Sequence, residues 1–189
     1  MTHKPKPLND PHSTATHEAG HAVIARVLTL LCGGATIKPN YEAGNAGHAI
    51  TEEPYACLSA WEVRGKVREP DAVWHARIIG YMAGAEAEIA LLGATQGGDG
   101  DDRLQIALMA EELDSPKEHW ERIEARLRAM TRMLVRRHRA LIERVANALI
   151  DKKTLTRTQL DKLVGRSVDD VKVNAPFILA MHRMRKAGV

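Results

Sequence analysis

Apolar residues recur at helical spacing along much of the chain. In the first such stretch they occupy positions 15, 19, 23, 27 and 31, so we expect a helix that is capped by Ser13 or Thr14 and ended by Cys32-Gly33-Gly34. Further helices are expected over 71–92, 103–113 and 117–150, with a short one that Thr156 caps and that ends at Val164. Residues 53–69 show no clear pattern.

Extended structure is expected in only one region. Residues 35–38 and 47–51 are short extended stretches on either side of a turn rich in Asn and Gly. They predict a small hairpin or two strands of a small sheet. Ala, Leu, Arg and Glu are abundant, while aromatic residues make up only 4% of the chain, which favours helix. The expected fold is therefore mainly α with a small β-hairpin or sheet.

A length of 189 residues suits one domain with flanking segments. Residues 1–12 contain three prolines and alternating charges, which is typical of a flexible arm. Residues 13–165 carry the helical pattern and are expected to form the domain. Residues 166–189 are interpreted as a C-terminal tail that is partly helical.

Charge and composition disfavour several classes of function. A net charge of +3 without a clustered basic face argues against a nucleic-acid partner. No apolar run reaches the roughly 18 residues of a membrane span, the N-terminus lacks the apolar region of a signal peptide, and no Walker-type phosphate loop occurs. Cys32 and Cys57 form no Cys-x-x-Cys pair and are expected to be buried thiols. We therefore expect a cytoplasmic protein without membrane contact.

The first helix contains His17-Glu18-x-x-His21. On a helix this order places both imidazoles on one face, one turn apart, where a single metal ion can bind both. Glu18 lies about 100° around the helix from His17, within reach of a metal-activated water. These residue types at this spacing are typical of zinc hydrolases, with Glu18 as general base.

A third ligand has to come from elsewhere in the chain. The metzincin pattern requires a Gly and a His where this chain has Ile24 and Val27. The thermolysin type takes a Glu from a following helix, whereas the nearest downstream acid, Glu42, lies in the expected turn. The best supply of a carboxylate is a group of acids before the helix over 103–113, although acids there also serve as helix caps. Its members are Asp99, Asp101 and Asp102.

The stretch over 47–51 can contribute to substrate binding. A free strand edge beside a metal site can pair with an extended peptide. The candidate residues are Gly47, His48, Ala49, Ile50 and Thr51. The alternative is a purely structural hairpin, and His48 is expected to be a surface residue rather than a metal ligand.

Five features in order resemble the peptidase domain of FtsH-type zinc metalloproteases over about residues 14–165. They are THEAGHAV, a short strand-turn-strand, AGAEAE, a turn rich in Gly and Asp that leads into a helix, and RHRALIERVANALIDKKTLTRTQLDKLV. The resemblance implies that Asp102 is the third zinc ligand, with Asp99 and Asp101 as alternatives, and that Glu88 supports the site. The family's Glu-Thr-Leu is Lys153-Thr154-Leu155 here. The family's AAA+ ATPase domain and membrane anchor have no counterpart in this sequence.

The sequence thus predicts a zinc metalloendopeptidase whose His17, His21 and Asp102 hold Zn2+. Expected substrates are unfolded proteins or flexible peptide segments, and a separate ATPase partner or a homo-oligomer is compatible with the resemblance. Two alternatives remain open. One is a zinc-binding adaptor or regulator of the same fold without turnover. The other is a helical interaction or nucleic-acid module in which the histidine pair is incidental.

Overall fold

A computed structural model describes residues 10–30, 32–40, 46–51, 54–63, 71–113 and 117–165. This part of the chain is mainly helical and carries one small antiparallel sheet, which confirms the expected fold class. In chain order the elements are α1 (Pro11–Val27), β1 (Cys32–Thr36), β2 (His48–Thr51), α2 (Pro54–Val63), α3 (Asp71–Leu92), α4 (Gly100–Glu112), α5 (Lys117–Arg137), α6 (Arg139–Lys152), β3 (Thr154–Thr156) and α7 (Arg157–Val164).

Helix α1 is the centre of the core. It packs against α3, α6 and the first two strands, and nearly all of its residues from Ser13 onward are buried. Many of them are small, including Ala15, Ala19 and Ala22, each fully buried. Small side chains let neighbouring elements approach the α1 backbone closely. The His-Glu-x-x-His motif therefore lies inside the fold rather than on a surface helix.

The ends of α1 differ from the prediction. Asp10, not Ser13 or Thr14, caps the helix, because its carboxylate accepts a hydrogen bond from the His12 backbone amide and Pro11 suits the first turn. Residues 10–12 thus form the cap and first turn of α1, while residues 1–9 of the predicted arm lie outside the described residues. At the other end α1 stops at Val27, where the chain turns through Thr29, whose φ is 65°.

The sheet has the order β2-β1-β3, and both pairings are antiparallel. Ala35 in β1 lies opposite Ala49 in β2 and Leu155 in β3. The prediction that Cys32-Gly33-Gly34 ends the first helix was wrong, since these residues begin β1. The strand β3 was not predicted, because a three-residue strand is recognisable only by its distant partner. β2 lies at the edge of the sheet, with one side unpaired by any described strand.

The remaining helices follow the apolar pattern with one major exception. Helix α3 has the predicted bounds, and α2 lies within residues 53–69, where the sequence shows no clear pattern. The continuous helix predicted over 117–150 was wrong, because it is interrupted at His138. The interruption lets α5 pack on α3 while α6 packs on α1. A single straight helix could not follow both neighbours.

Helix α7 begins as predicted. Thr156 accepts a hydrogen bond from the Gln159 amide, and the Gln159 side chain accepts one from the Thr156 amide, which is a complete capping box. The predicted tail over 166–189 lies outside the described residues. In the described part of the chain, no helix combines the length and apolarity that a membrane crossing requires.

Candidate metal centre

Helix α1 directs the two motif histidines toward α3 and α4. Both imidazoles are largely buried, with side-chain exposures of 11% for His17 and 12% for His21. Their ring centroids are 4.6 Å apart, and the rings meet edge to face. The spacing of one helical turn thus brings the two rings together as the sequence predicted.

Asp102, in the first turn of α4, completes a cluster with the two histidines. Its Oδ2 lies 3.0 Å from Nε2 of His17 and 3.3 Å from Nε2 of His21. One ligand atom from each of the three residues can be chosen so that all lie within 4.8 Å of one another. Residues from two helices that are about eighty positions apart therefore converge on one point.

The other two acids of the group have different surroundings. Asp99 precedes α4 and forms an ion pair with Arg103 at 2.8 Å, one turn along the helix. Asp101 is exposed at the border of the cleft. Only Asp102 of the three acids joins the cluster with the histidines.

The second nitrogen of each imidazole is held by α3. Nδ1 of His17 donates to Oε1 of Glu88 at 2.6 Å, and Nδ1 of His21 donates to the backbone oxygen of Gly80 at 2.7 Å. A proton kept on Nδ1 leaves the Nε2 lone pair available on the side of the cluster. Acceptors of this kind orient metal-binding histidines and make them better ligands.

Glu88 is itself held in place by two donors. Its Oε2 accepts hydrogen bonds from the Ser13 hydroxyl at 3.0 Å and the Gln96 backbone amide at 2.8 Å. These bonds, together with the one from His17, outweigh the effect of burial and hold the pKa of Glu88 below its ordinary value. Glu88 is therefore an ionised acceptor with a fixed orientation.

The cluster has the donor types and spacing that a small divalent cation requires. Ligand atoms in a tetrahedron with metal–ligand bonds near 2.0–2.1 Å lie about 3.3 Å apart. The two Nε2 to Oδ2 distances, 3.0 and 3.3 Å, are close to that value. Two imidazoles and one carboxylate also match the three protein ligands typical of catalytic zinc. The residues present thus fit a metal ion.

The charges of the three residues and their neighbours favour a cation between them. Burial disfavours a proton on His17, but hydrogen bonds with Asp102 and Glu88 outweigh it and raise the pKa of His17 from 6.5 to about 10. Despite burial, the charge of His21 and the hydrogen bonds with both histidines hold the pKa of Asp102 below its ordinary range. A protonated imidazole balances the carboxylates here, and a metal ion can replace that proton.

Glu18 lies beside the cluster. Its side chain is buried, and its Oε2 has no hydrogen-bond partner among the described residues. Burial raises the pKa of Glu18 above its ordinary value, against the opposing effect of the two histidines. A carboxylate of raised pKa with one oxygen not engaged in a described hydrogen bond is suited to accepting a proton during a reaction.

Gly84 of α3 allows the imidazoles to lie directly against the helix. A Cβ at this position would lie 2.5 Å from Nε2 of His17 and 2.5 Å from Nε2 of His21. No real Cβ contact is that short, so any larger residue would displace both rings. The sequence contains this glycine in AGAEAE, but only the packing of α1 on α3 reveals what it does.

A cleft of about 360 Å³ opens beside the cluster. Of the predicted substrate-binding residues, Gly47, His48, Ala49 and Thr51 line it, whereas Ile50 does not and is 49% exposed. A Cβ on Gly47 would lie 3.2 Å from Cγ of Glu18, so the start of β2 passes close to that side chain. The strand edge and the ligand cluster thus border the same cleft.

Sequence reasoning missed several contributors to the cleft. The Ser13 hydroxyl donates to Glu88, and the Gly80 carbonyl accepts from His21. Arg77 and Tyr81 line the cleft. Positions 77, 81, 84 and 88 are spaced by four, three and four residues, which places them on one face of a helix. That spacing was available in the sequence, but which face of α3 meets α1 was not.

Comparison with known proteins adds no identification. No protein-family model matches this chain, and no curated protein matches it at a significant level.

Proposed function

We propose that this protein is a zinc-dependent endopeptidase. One observation carries the proposal: three largely buried ligand residues lie at the edge of an open cleft, beside a buried carboxylate whose Oε2 has no hydrogen-bond partner among the described residues. Hydrolases that use a metal ion require this combination of an ion site, a base and space for a substrate. The resemblance to FtsH-type peptidases in THEAGHAV and AGAEAE favours peptide bonds as the substrate.

His17, His21 and Asp102 would hold the ion. Two nitrogen ligands and one carboxylate favour zinc over Mg2+ or Ca2+, which prefer oxygen ligands. When bound, Zn2+ would polarise the scissile carbonyl and lower the pKa of a water molecule toward about 7. Glu88 and the Gly80 carbonyl hold the imidazoles in the orientation that this requires.

Glu18 would act as the general base. It would take a proton from the attacking water as the new C–O bond forms, and deliver that proton to the amide nitrogen as the C–N bond breaks. Its raised pKa suits both steps, because the carboxylate accepts the proton and the acid then releases it. The products would be a carboxylate and an amine.

The substrate would bind as an extended strand along the outer edge of β2. The edge of β2 that no described strand pairs offers backbone donors and acceptors, and Ala49 and Thr51 line the cleft. A chain has to be extended to use such an edge, which favours unfolded proteins and flexible segments. A separate ATPase partner, a homo-oligomer and a cytoplasmic location remain predictions from the sequence.

The Glu18→Gln variant tests the proposal. We expect it to retain zinc, because Glu18 is not one of the three ligands, and to lose at least about 100-fold of its turnover, as is typical when a general base is removed. Zinc content by elemental analysis and cleavage of unfolded casein measure the two effects. Glu121→Gln, an exposed position on α5, is the matched control.

Two outcomes contradict the proposal. Undiminished casein cleavage by Glu18→Gln would exclude Glu18 as the base. Zinc-loaded wild-type protein that cleaves neither casein nor short peptides would instead support the zinc-binding adaptor.

A further inference from the structure

One face of α3 runs past the whole ligand cluster. Gly84 lies against both imidazoles, and Glu88, one turn toward the C-terminus, holds His17. Tyr81 and Arg77 occupy the same face toward the N-terminus, three and seven residues before Gly84. The polar groups of this face thus lie on both flanks of the histidine pair.

Tyr81 lies next to His21 at the wall of the cleft. Its ring centroid is 6.5 Å from that of His21, and the two rings meet at 68°. Tyr81 is half-buried and lines the same cleft as Glu18 and the three ligands. Its hydroxyl is therefore available to a molecule that binds at the cluster.

Arg77 orients the Tyr81 hydroxyl. Nη2 of Arg77 donates to the phenolic oxygen at 3.3 Å, and the guanidinium carbon lies 5.7 Å from the ring centroid. Because the oxygen accepts this bond, the phenolic hydrogen points elsewhere, and it has no acceptor among the described residues. A hydroxyl that accepts a hydrogen bond from a charged donor is itself a stronger donor.

The Ser13 and Thr14 hydroxyls of the cleft have partners already. Ser13 donates to Glu88, and Thr14 donates to the backbone oxygen of Asp10. The Nδ1 of each imidazole is committed to an acceptor on α3. Tyr81 thus places a hydroxyl that Arg77 orients next to the cluster, at the wall of the cleft.

We infer that Tyr81 is a catalytic residue that stabilises the oxyanion of the tetrahedral transition state, with Arg77 as its positioning residue. The inference rests on the proposed peptidase function. As the water oxygen bonds to the carbonyl carbon, the π pair moves to the carbonyl oxygen, and the Tyr81 hydroxyl donates a hydrogen bond to it without transferring its proton. The electron pair on that oxygen re-forms the C=O bond as the C–N bond breaks, and the amine leaves with the proton that Glu18 carried.

The Tyr81→Phe variant tests this assignment, because it keeps the ring beside His21 and removes only the hydroxyl. We expect kcat to fall by about 100-fold, as for loss of one oxyanion donor, with zinc content and KM within about twofold of wild type. Binding of a phosphinic peptide, which carries a tetrahedral anionic group in place of the scissile bond, should weaken by a similar factor. Thr131→Val removes a buried hydroxyl that already donates to the Leu127 backbone oxygen and does not line the cleft, so it serves as the matched control.

The outcomes separate this inference from the proposed function. One outcome overturns the role of Tyr81 alone: the wild type cleaves its substrate, and Tyr81→Phe keeps the same kcat and the same phosphinic-peptide affinity. Equal losses in Tyr81→Phe and Thr131→Val also overturn it, since they would reflect general damage to the fold. Zinc-loaded wild-type protein with neither turnover nor phosphinic-peptide binding overturns both proposals.

Discussion

At the scale of single residues, the candidate metal centre depends as much on what surrounds the ligands as on the ligands. Each imidazole gives one nitrogen to an acceptor on α3 and keeps the other for the cluster. Gly84 supplies the space in which the two rings meet. A substitution that leaves all three ligands in place can therefore still abolish metal binding.

Gly84→Ala should show this directly. The added methyl group would lie 2.5 Å from the Nε2 atoms of both histidines, so the rings have to move. We expect metal affinity to fall by at least the 10–100-fold that is typical of losing a supporting contact. Competition with a chromogenic chelator measures the affinity.

Gly80→Ala is the control for that experiment. Its methyl group would contact only Cδ1 of Leu30, at an ordinary 3.7 Å, and the Gly80 carbonyl that holds His21 remains. Metal affinity should stay close to that of the wild type. If Gly84→Ala bound the metal ion as tightly as Gly80→Ala does, Gly84 would not shape the site.

Metal binding should strengthen as pH rises. The metal-free protein holds a proton on His17, whose pKa is about 10, and that proton has to leave before Nε2 can bind a metal ion. At pH 7 we expect about one proton or more to be released per ion, so that affinity falls as pH falls. Calorimetry in buffers with different ionisation enthalpies counts the protons, and an affinity independent of pH between 6 and 8 would contradict the prediction.

At the scale of elements, the packing of α1 on α3 positions the site. Gly20, between the two motif histidines, lies where a Cβ would be 2.5 Å from the Ala83 backbone oxygen and 2.8 Å from Cβ of Ala87. The two helices approach closely because small residues face each other there. This close approach brings Glu88 and Gly80 within hydrogen-bonding distance of the imidazoles.

Gly20→Ala should destabilise the protein even though alanine is the better helix former. Alanine gains about 1 kcal/mol of helix propensity, while overpacking against a backbone oxygen typically costs about 1–3 kcal/mol. We expect a net loss of up to about 2 kcal/mol in the free energy of unfolding, measured by urea denaturation. Gly100→Ala, where a Cβ meets nothing within 4 Å, should not lose stability. A Gly20→Ala variant more stable than wild type would show that the helices can separate without cost.

At the scale of the whole molecule, a bound metal ion would link α1 to α4. Helix α4 has few core contacts of its own, because only Ile106 and Met109 are buried along it, and Leu104 is 57% exposed. Helix α6, by contrast, places Ile142, Val145 and Leu149 in the core. A metal ion bound at the candidate centre would therefore join α4, the less buried of these two helices, to the centre of the fold.

Removal of the metal ion should lower stability and loosen α4 first. An ion present at a thousand times its Kd stabilises the folded state by about 4 kcal/mol, which corresponds to about 8–16 °C in Tm for a chain of this size. Treatment with a chelator should reverse this shift, and backbone hydrogen exchange should accelerate more in α4 than in α6. Equal acceleration in both helices would contradict a local role for the metal ion.

The apolar periodicity and the local motifs determined much of this protein. They predicted a mainly helical fold, the bounds of α3, the capping of α7 by Thr156 and the helical pairing of His17 with His21, because each depends on residues within a few turns of one another. Propensity, capping and side-chain spacing on a helix are local properties. They can be read directly from the order of the residues.

Only the tertiary structure decided which acid joins the histidines and which glycine makes room for them. Asp99, Asp101 and Asp102 are neighbours in sequence, but the way α4 packs near α1 gives them different surroundings. Asp102 meets the histidines, whereas Asp99 pairs with Arg103. The break at His138 and the pairing of β3 with β1 likewise depend on partners far along the chain. Such contacts form when buried faces pack together, and no local spacing encodes which faces will meet.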